Sequence, residues 1–241
     1  MENIGFTTGS LYRSEIPFEK RIELYHSLGA NAIELSFGTP TQLFEFQLSE
    51  KITKDIKKFK FITIHAPWKE VRYNESSETR QIINKLKTLN NKFSVKGIVL
   101  HPDTIDDFDI LVRSGLPFLL ENMDKRKDFG TLPKHFEELK NKYNFDFVLD
   151  LQHAYEHDHS MQLTKNLIEL MGKRLKHMHV SGHTKSEIHV PTYLADNKDA
   201  ITKILKLRVD VPKILEGILL EDINETIKSE LEYVKIYERK F

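Results

Sequence analysis

The chain has 241 residues, no cysteine, and 36 basic and 36 acidic side chains, which give a formal net charge of +0. Without thiols, the chain forms neither disulfides nor thiolate metal sites, so any metal ion must be held by His, Asp or Glu. The charge balance offers no overall attraction to nucleic acid or to an anionic membrane. Because the sequence also lacks a secretory signal and a run of about 18 apolar residues, we expect a cytoplasmic protein.

Short apolar runs of strand length recur along the chain, and longer amphipathic segments lie between them. The predicted strands are residues 4–8, 32–37, 61–66, 97–101, 118–122, 147–151, 177–181 and 213–217. Apolar residues at helical spacing predict helices over residues 16–28, 49–59, 79–92, 132–143, 161–171, 197–207 and 223–236, with a brief helix around 105–112.

Eight strands alternating with eight helical segments predict an α/β fold, a (β/α)8 TIM barrel that forms a single domain over residues 1–241. A doubly wound open sheet is the main alternative. Such a sheet would be expected to have a Gly-rich phosphate-binding turn after an early strand. Residues 7–13, TTGSLYR, contain only one Gly, so the pattern favours the barrel.

Six consecutive predicted strands, the third to the eighth, end in a potential metal ligand. The C-terminal ends of barrel strands surround one common mouth, where the active sites of such barrels lie. Buried imidazoles and carboxylates are costly unless they are paired or bound to cations, so six of them at one mouth favour bound metal ions. The six residues are His65, His101, Glu121, Asp150, His179 and Glu216.

Three further candidate ligands follow these strand ends. His153 comes one short turn after Asp150, and Glu187 and His189 alternate in the loop after the seventh strand, which places both on one side of an extended segment. Nine candidates exceed the needs of one ion, so they suit two or three ions that share a bridging carboxylate. Imidazole and carboxylate ligands without thiol favour divalent Zn, with Mn or Fe as alternatives.

Several motifs resemble those of the xylose isomerase-like barrel superfamily, and within it the endonuclease IV branch of apurinic-site nucleases. The resemblance covers nearly the whole chain, from residue 4 to residue 217. The motifs are HAPW at 65–68, HPD at 101–103, LEN at 120–122, DLQH at 150–153, HMHVSGHTK at 177–185, EIH at 187–189 and LEG at 215–217.

The resemblance implies a trinuclear zinc site built from nine ligands. In that arrangement Glu121 bridges the first ion to the second. The first ion is also held by His65 and His101, the second by Asp150, His179 and Glu216, and the third by His153, Glu187 and His189. The family usually has Asp at the position of Glu187, and His183 is a competitor for that role.

The chain departs from the DNA enzymes at the parts that contact DNA. Asp103 replaces a Gly of the family, the word after the fifth strand is ENMDK, and residues 153–160 read HAYEHDHS. Trp68 takes the place of an aromatic residue that lies near DNA in the family, and its alternative role is packing at the barrel rim. Trp68, His183 and Arg13 are the candidate substrate-binding residues, and Lys125, Arg126 and Lys185 are further candidates for holding phosphate.

The sequence therefore predicts a metal-dependent hydrolase of phosphoester bonds, with Glu121 and Glu216 as catalytic residues. The expected substrate is a small molecule or a phosphoester, and DNA is possible but not favoured by the charge. The main alternative is a sugar isomerase or epimerase with one divalent ion on Glu121, Asp150, His179 and Glu216, in which Glu121 and Glu216 move a proton. Such an enzyme does not need His65, His101, Glu187 or His189 as ligands. A multinuclear iron oxidase and a non-catalytic metal-binding module are weaker alternatives.

Overall fold

The computed structural model describes residues 3–208 and 210–238. Eight parallel strands close into a barrel, in the order β1-β10-β7-β6-β5-β4-β3-β2, which confirms the predicted (β/α)8 fold. The barrel strands are β1 Ile4–Thr7, β2 Ala32–Ser36, β3 Phe61–His65, β4 Ile98–Leu100, β5 Phe118–Glu121, β6 Asp146–Asp150, β7 Leu175–Val180 and β10 Lys213–Leu215. All eight overlap the predicted strands.

Helices surround the barrel and were mostly predicted from the spacing of apolar residues. Two were not predicted, α2 and α7, because each is short and lies in a segment that shows no extended helical spacing of apolar residues. The helices are α1 Phe18–Ser27, α2 Pro40–Glu45, α3 Glu50–Ile56, α4 Ser77–Phe93, α5 Phe108–Ser114, α6 Pro133–Tyr143, α7 Leu151–His157, α8 Gln162–Met171, α9 Lys198–Leu207 and α10 Ile223–Glu238.

Helix α4 shows how the sequence specifies these outer elements. Ser76 caps the helix, because its hydroxyl accepts a hydrogen bond from the Thr79 N–H at 3.2 Å. Apolar residues then recur at helical spacing and are buried against the barrel, each contributing about 1.5–3 kcal/mol to stability. These are Ile82, Ile83, Leu86, Leu89 and Phe93.

A short antiparallel hairpin extends the loop between β7 and α9. Its strands are β8 Gly182–His183 and β9 Ile188–Val190, and the sequence analysis predicted only an extended loop here. The loop after β10 packs closely against this hairpin, since a Cβ on Gly217 would come within 2.6 Å of Pro191. Two segments that carry candidate ligands, Glu216 and His189, are therefore held together.

The barrel interior changes from apolar to polar towards the C-terminal mouth. Two small apolar clusters, Ala32–Phe61–Ile214 and Val99–Leu119–Val148, are buried apart from the main core. Residues two apart on a strand face the same side, and in four strands the residue two positions after such an apolar residue is a candidate ligand. The apolar clusters thus fill the barrel beneath four of the candidate ligands. These ligands are His101, Glu121, Asp150 and Glu216.

None of the helices within residues 3–208 and 210–238 combines the length and apolar character that a bilayer crossing requires.

Tight packing between β1 and β2 makes Gly5 a sensitive position. A Cβ built on Gly5 would lie 1.6 Å from the Ala32 carbonyl oxygen, so Gly5→Ala forces the two strands apart. We expect it to lower the free energy of unfolding by about 3 kcal/mol, measured by urea denaturation. Gly9→Ala is the control, because its nearest neighbour would be the Ser36 hydroxyl at 3.2 Å. Equal stability of the two variants would contradict this packing.

Candidate metal centre

The structure brings the six strand-end candidates together at the C-terminal mouth. Their ligand atoms form two clusters, each with all its atoms within 4.8 Å of one another, and Glu121 belongs to both. The first cluster is His65, His101 and Glu121; the second is Glu121, Asp150, His179 and Glu216. All of these side chains are buried except that of Glu216, which is 14% exposed.

Glu121 lies between the clusters and turns one carboxylate oxygen towards each. Its Oε2 atom lies 3.2 Å from Nε2 of both His65 and His101. Its Oε1 atom lies 2.9 Å from Nδ1 of His179. A carboxylate in this position can bridge two cations, which is the role that the sequence analysis predicted for it.

Backbone and side-chain hydrogen bonds orient the ligands. His65 Nδ1 lies 3.0 Å from the Ala66 carbonyl oxygen, which can accept a hydrogen bond from a protonated Nδ1, and this tautomer would leave the Nε2 lone pair for a cation in the cluster. Asn122 joins the ends of β5 and β6 by accepting from the Asp150 N–H at 2.6 Å and donating to the Asp150 carbonyl at 2.9 Å. Asn122 was not predicted as a site residue.

The second cluster holds more negative charge than its one imidazole neutralises. Burial, together with the carboxylates of Glu121 and Asp150, raises the pKa of Glu216 well above its usual range. Burial disfavours the cationic form of His179, but the Glu216, Glu34 and Glu121 carboxylates outweigh it and raise the pKa of His179. Protons or a metal cation are therefore needed at this point to compensate the buried carboxylates.

One carboxylate oxygen in the second cluster has no hydrogen-bond partner. Asp150 Oδ1 caps helix α7 by accepting from the His153 N–H at 2.7 Å, while Oδ2 is buried and makes no hydrogen bond within the described residues. A buried charged oxygen without a partner is costly, and this oxygen belongs to a residue of the ligand cluster. A divalent cation bound there would satisfy it, so the donor set fits a metal ion.

The three candidates for a third ion are only partly brought together. The rings of His153 and His189 lie 5.4 Å apart, and burial lowers the pKa of His189 to about 4, so it is neutral at pH 7 and can act as a ligand. His189 also has a left-handed backbone with φ of 54°, a strained conformation that recurs at functional sites. Glu187 lies exposed at the hairpin turn and belongs to neither cluster.

The three predicted substrate-binding residues have different surroundings. Trp68 is half-buried, and its ring lies 4.5 Å from that of His65 and 5.5 Å from that of His101, so it covers the first cluster. His183 lies 3.0 Å from the Glu156 carboxylate. Arg13 is exposed in the loop after β1 and contacts the Tyr12 hydroxyl at 2.7 Å.

The sequence analysis also missed a polar layer directly beneath the ligands. Glu34 on β2 is fully buried and lies 3.2 Å from Nε2 of His179. His177, two residues before His179 on β7, is also fully buried and lies 3.4 Å from the Glu34 carboxylate. Glu34 could have been found from the alternation of residues along β2, which places it on the same side as Ala32.

Comparisons with known proteins support the fold. No protein-family model and no curated protein sequence matches the chain. Endonuclease IV from Thermus thermophilus is 15% identical with a TM-score of 0.69, and a D-tagatose 3-epimerase-like protein is 16% identical with a TM-score of 0.68; each alignment covers 98% of both chains. The IolI protein, solved with a zinc atom, is 18% identical over 98% of this chain and 96% of its own, with a TM-score of 0.66.

The chain shares a barrel fold with an endonuclease IV and with an epimerase-like protein, the two classes of enzyme weighed in the sequence analysis. TM-scores of 0.66 to 0.69 show the shared fold, although the identities are only 15% to 18%. Fold alone does not determine the reaction, because the same barrel supports many chemistries. The function must therefore be argued from the ligand clusters.

The shared position of Glu121 predicts how metal content responds to mutation. Glu121→Ala removes a ligand from both clusters, so we expect it to lose two ions per chain. His101→Ala and Asp150→Ala should each lose one, since each belongs to a single cluster. Mass spectrometry of the metal in protein purified without chelator or His tag measures this content. Full metal content in Glu121→Ala would contradict the assignment.

Proposed function

We propose that this protein is a metal-dependent hydrolase of phosphoester bonds, with two divalent ions on the two clusters that share Glu121. The observation that carries the proposal is the first cluster. His65 and His101 direct ring nitrogens towards the Glu121 oxygen that faces away from the second cluster. Enzymes with a single ion on the second cluster do not need these two imidazoles.

The donor set agrees with this proposal. Imidazole nitrogens and carboxylate oxygens without thiol suit Zn and also bind Mn or Fe. His65, His101 and Glu121 would hold one ion, and Asp150, His179 and Glu216 would join Glu121 around the other. A third ion on His153, Glu187 and His189 is part of the same hypothesis, and it requires Glu187 to move from its exposed position in the hairpin turn.

When bound, paired divalent ions lower the pKa of a bound water and neutralise phosphoryl oxygens. Among the chain's own residues, Glu216 lies 14% exposed at the mouth, where its carboxylate could orient or deprotonate a water. Trp68 lies over His65 and His101 and limits the access of water from that side. Glu121 belongs to both clusters and so fixes their relative position. A lowered pKa keeps the Glu121 carboxylate ionised. Burial opposes its ionisation, but the His179 charge and hydrogen bonds from neighbouring histidines outweigh burial.

The charges around the mouth favour a small phosphoester over DNA. All three cations of the loop after β5 are paired: Lys125 with Glu156 at 3.2 Å, Arg126 with Asp124 at 2.6 Å, and Lys127 with Asp103 at 2.6 Å. Asp103, which replaces a family Gly, therefore neutralises a cation beside the mouth. DNA-binding surfaces need unpaired Lys and Arg for phosphate contacts.

The lining of a groove beside the mouth also favours a small substrate over DNA. Its volume is about 1010 Å³, and Arg13 is the only Lys or Arg that lines it within the described residues. Four carboxylates line it as well, together with exposed apolar side chains, so a polyanion would be repelled there. The acidic residues are Glu187, Glu221, Asp222 and Glu225, and the exposed apolar ones are Tyr12, Leu194 and Leu220.

A sugar isomerase or epimerase remains the second candidate function. The second cluster alone offers four ligands for one ion, and within it Glu121 has a lowered pKa and Glu216 a raised one. A pair of carboxylates with pKa values moved apart suits proton transfer by an acid and a base. The structural similarity to the D-tagatose 3-epimerase-like protein supports the epimerase. The similarity to endonuclease IV supports the hydrolase to the same degree.

The effect of replacing His101 on catalytic activity distinguishes the hydrolase from the epimerase. We expect zinc- or manganese-loaded protein to hydrolyse bis(p-nitrophenyl) phosphate, and to do so faster than it cleaves a duplex with an abasic site. His101→Gln should lower this hydrolysis by at least about 100-fold, equivalent to about 2.7 kcal/mol of transition-state stabilisation. His26→Gln, on the exposed outer face of α1, is the control and should leave the rate unchanged.

Ketohexoses serve as the competing substrates in this experiment. The hydrolase would be overturned and the epimerase established by two results together. The protein would interconvert ketohexoses both before and after His101→Gln, and it would not hydrolyse the diester. Rapid cleavage of the abasic duplex would contradict the preference for small substrates while leaving the phosphoesterase chemistry intact.

A further inference from the structure

A buried polar layer lies inside the barrel, one level below the ligand clusters. It consists of Glu34 on β2, Thr63 on β3 and His177 on β7, and it contacts the ligand His179 above it; all four residues are 0% exposed. In the barrel β2 and β7 are separated by β1 and β10, so Glu34 reaches across the interior to contact the two histidines. Polar side chains at this depth are costly unless each is satisfied.

The Glu34 carboxylate is surrounded by three potential donors. Thr63 donates its hydroxyl proton to Oε2 at 2.9 Å. His177 Nε2 lies 3.4 Å from Oε2, and His179 Nε2 lies 3.2 Å from Oε1. When its Nε2 carries a proton, His179 donates to Oε2 at 3.3 Å, the oxygen that also accepts from Thr63. Oε1 has no hydrogen-bond partner among the described residues.

Two arrangements of the ring protons compete, because the two Nε2 atoms also lie 3.2 Å from each other. In one, His177 donates to His179, which then carries its proton on Nδ1. In the other, both rings donate from Nε2 to Glu34, which leaves the lone pair of His179 Nδ1 free. The second allows His179 to bind a cation through Nδ1, the atom that lies 2.9 Å from Glu121 and 3.4 Å from Glu216. The reverse donation, from His179 to His177, is disfavoured because it would leave an unpaired N–H on the buried Nδ1 of His177.

We infer that Glu34 is a positioning residue for the metal centre. By accepting from His179 Nε2–H, it fixes the ring orientation and the tautomer that present Nδ1 to the second cluster. Carboxylates that accept from the far nitrogen of a metal-binding His commonly act in this way. The inference rests on the metal ligands of the proposed function, but it applies to a hydrolase and to an epimerase alike, since both use His179.

Glu34, His177 and His179 could also hold an ion directly, since their ligand atoms lie within 4.8 Å of one another. The far nitrogen of His177 argues against this. A metal-binding His donates its other N–H to a partner, whereas Nδ1 of His177 is buried without a hydrogen-bond partner in the described part of the chain. As a neutral ring with its proton on Nε2, His177 leaves only a lone pair unpaired there.

Zinc affinity tests the inference without reference to catalysis. Glu34→Met is close in volume and removes both acceptor oxygens, so we expect the affinity of the ion at the second cluster to fall about 10–100-fold. Glu34→Gln keeps one acceptor and should give a smaller loss. The ion on His65 and His101 should bind as in the wild type. Competition with a chromophoric zinc chelator measures both affinities on the full chain.

The control is Asp55→Asn, which removes a buried carboxylate on α3 that is paired with Lys51 and Lys58 outside the barrel. It should leave both zinc affinities unchanged. Wild-type affinity for both ions in folded Glu34→Met would overturn the inference. Loss of an additional ion in Glu34→Met, with the second-cluster ion retained, would show instead that Glu34 is itself a ligand.

A measurement on the wild-type protein guards against variants that do not fold. In zinc-loaded protein, ¹H–¹⁵N spectra of the His side chains should show His179 protonated on Nε2, and a proton on Nδ1 would overturn the inference. Neither experiment uses a substrate. Absence of phosphoesterase activity would therefore refute the proposed function while leaving the role of Glu34 intact.

Discussion

The need to compensate buried carboxylates governs the architecture of the mouth. Glu121, Asp150 and Glu216 end three strands of the barrel and converge with His179 in one cluster. Like charges at this separation repel strongly where water is excluded. Imidazoles on one side of Glu121 and a raised pKa on Glu216 relieve part of the repulsion. We propose that divalent cations relieve the rest, and that the reaction uses the same cations.

The layers beneath the mouth make this concentration of polar groups structurally tolerable. Apolar side chains fill the N-terminal part of the barrel, and the polar layer of Glu34 and Thr63 lies between them and the ligands. Along each strand, residues that face the barrel interior alternate with residues that face the outer helices. The same two-residue alternation therefore places both the interior apolar side chains and the ligands. The strand ends are therefore rigid, which suits ligands that must hold ions at fixed positions.

The sequence predicted what depends on local periodicity. Eight apolar runs gave the barrel, and the polar residue at the end of each of six strands gave the two clusters, because parallel strands necessarily direct their C-terminal ends to one mouth. Glu34 and Asn122 were missed because their partners lie on other strands, far away in the sequence. His179 is 145 residues from Glu34, and no local pattern indicates such a contact.

The loop predictions were weaker for a related reason. Asp150 was predicted as a ligand, but its second role as the cap of α7 was not, since that helix lies in a segment predicted as a loop. The hairpin β8–β9 leaves Glu187 exposed in its turn and brings His189 near His153. Placement of loop residues depends on tertiary contacts such as that between Gly217 and Pro191. The third ion consequently stays a prediction, as do the other two.

Crystallographic anomalous scattering from zinc-loaded protein tests the central claim most directly. We expect two peaks about 3.5–4 Å apart, one on each side of the Glu121 carboxylate. One peak should lie beside His65 and His101, and the other beside Asp150, His179 and Glu216. A single peak confined to the second cluster, with His65 and His101 free of metal, would contradict the shared-carboxylate centre.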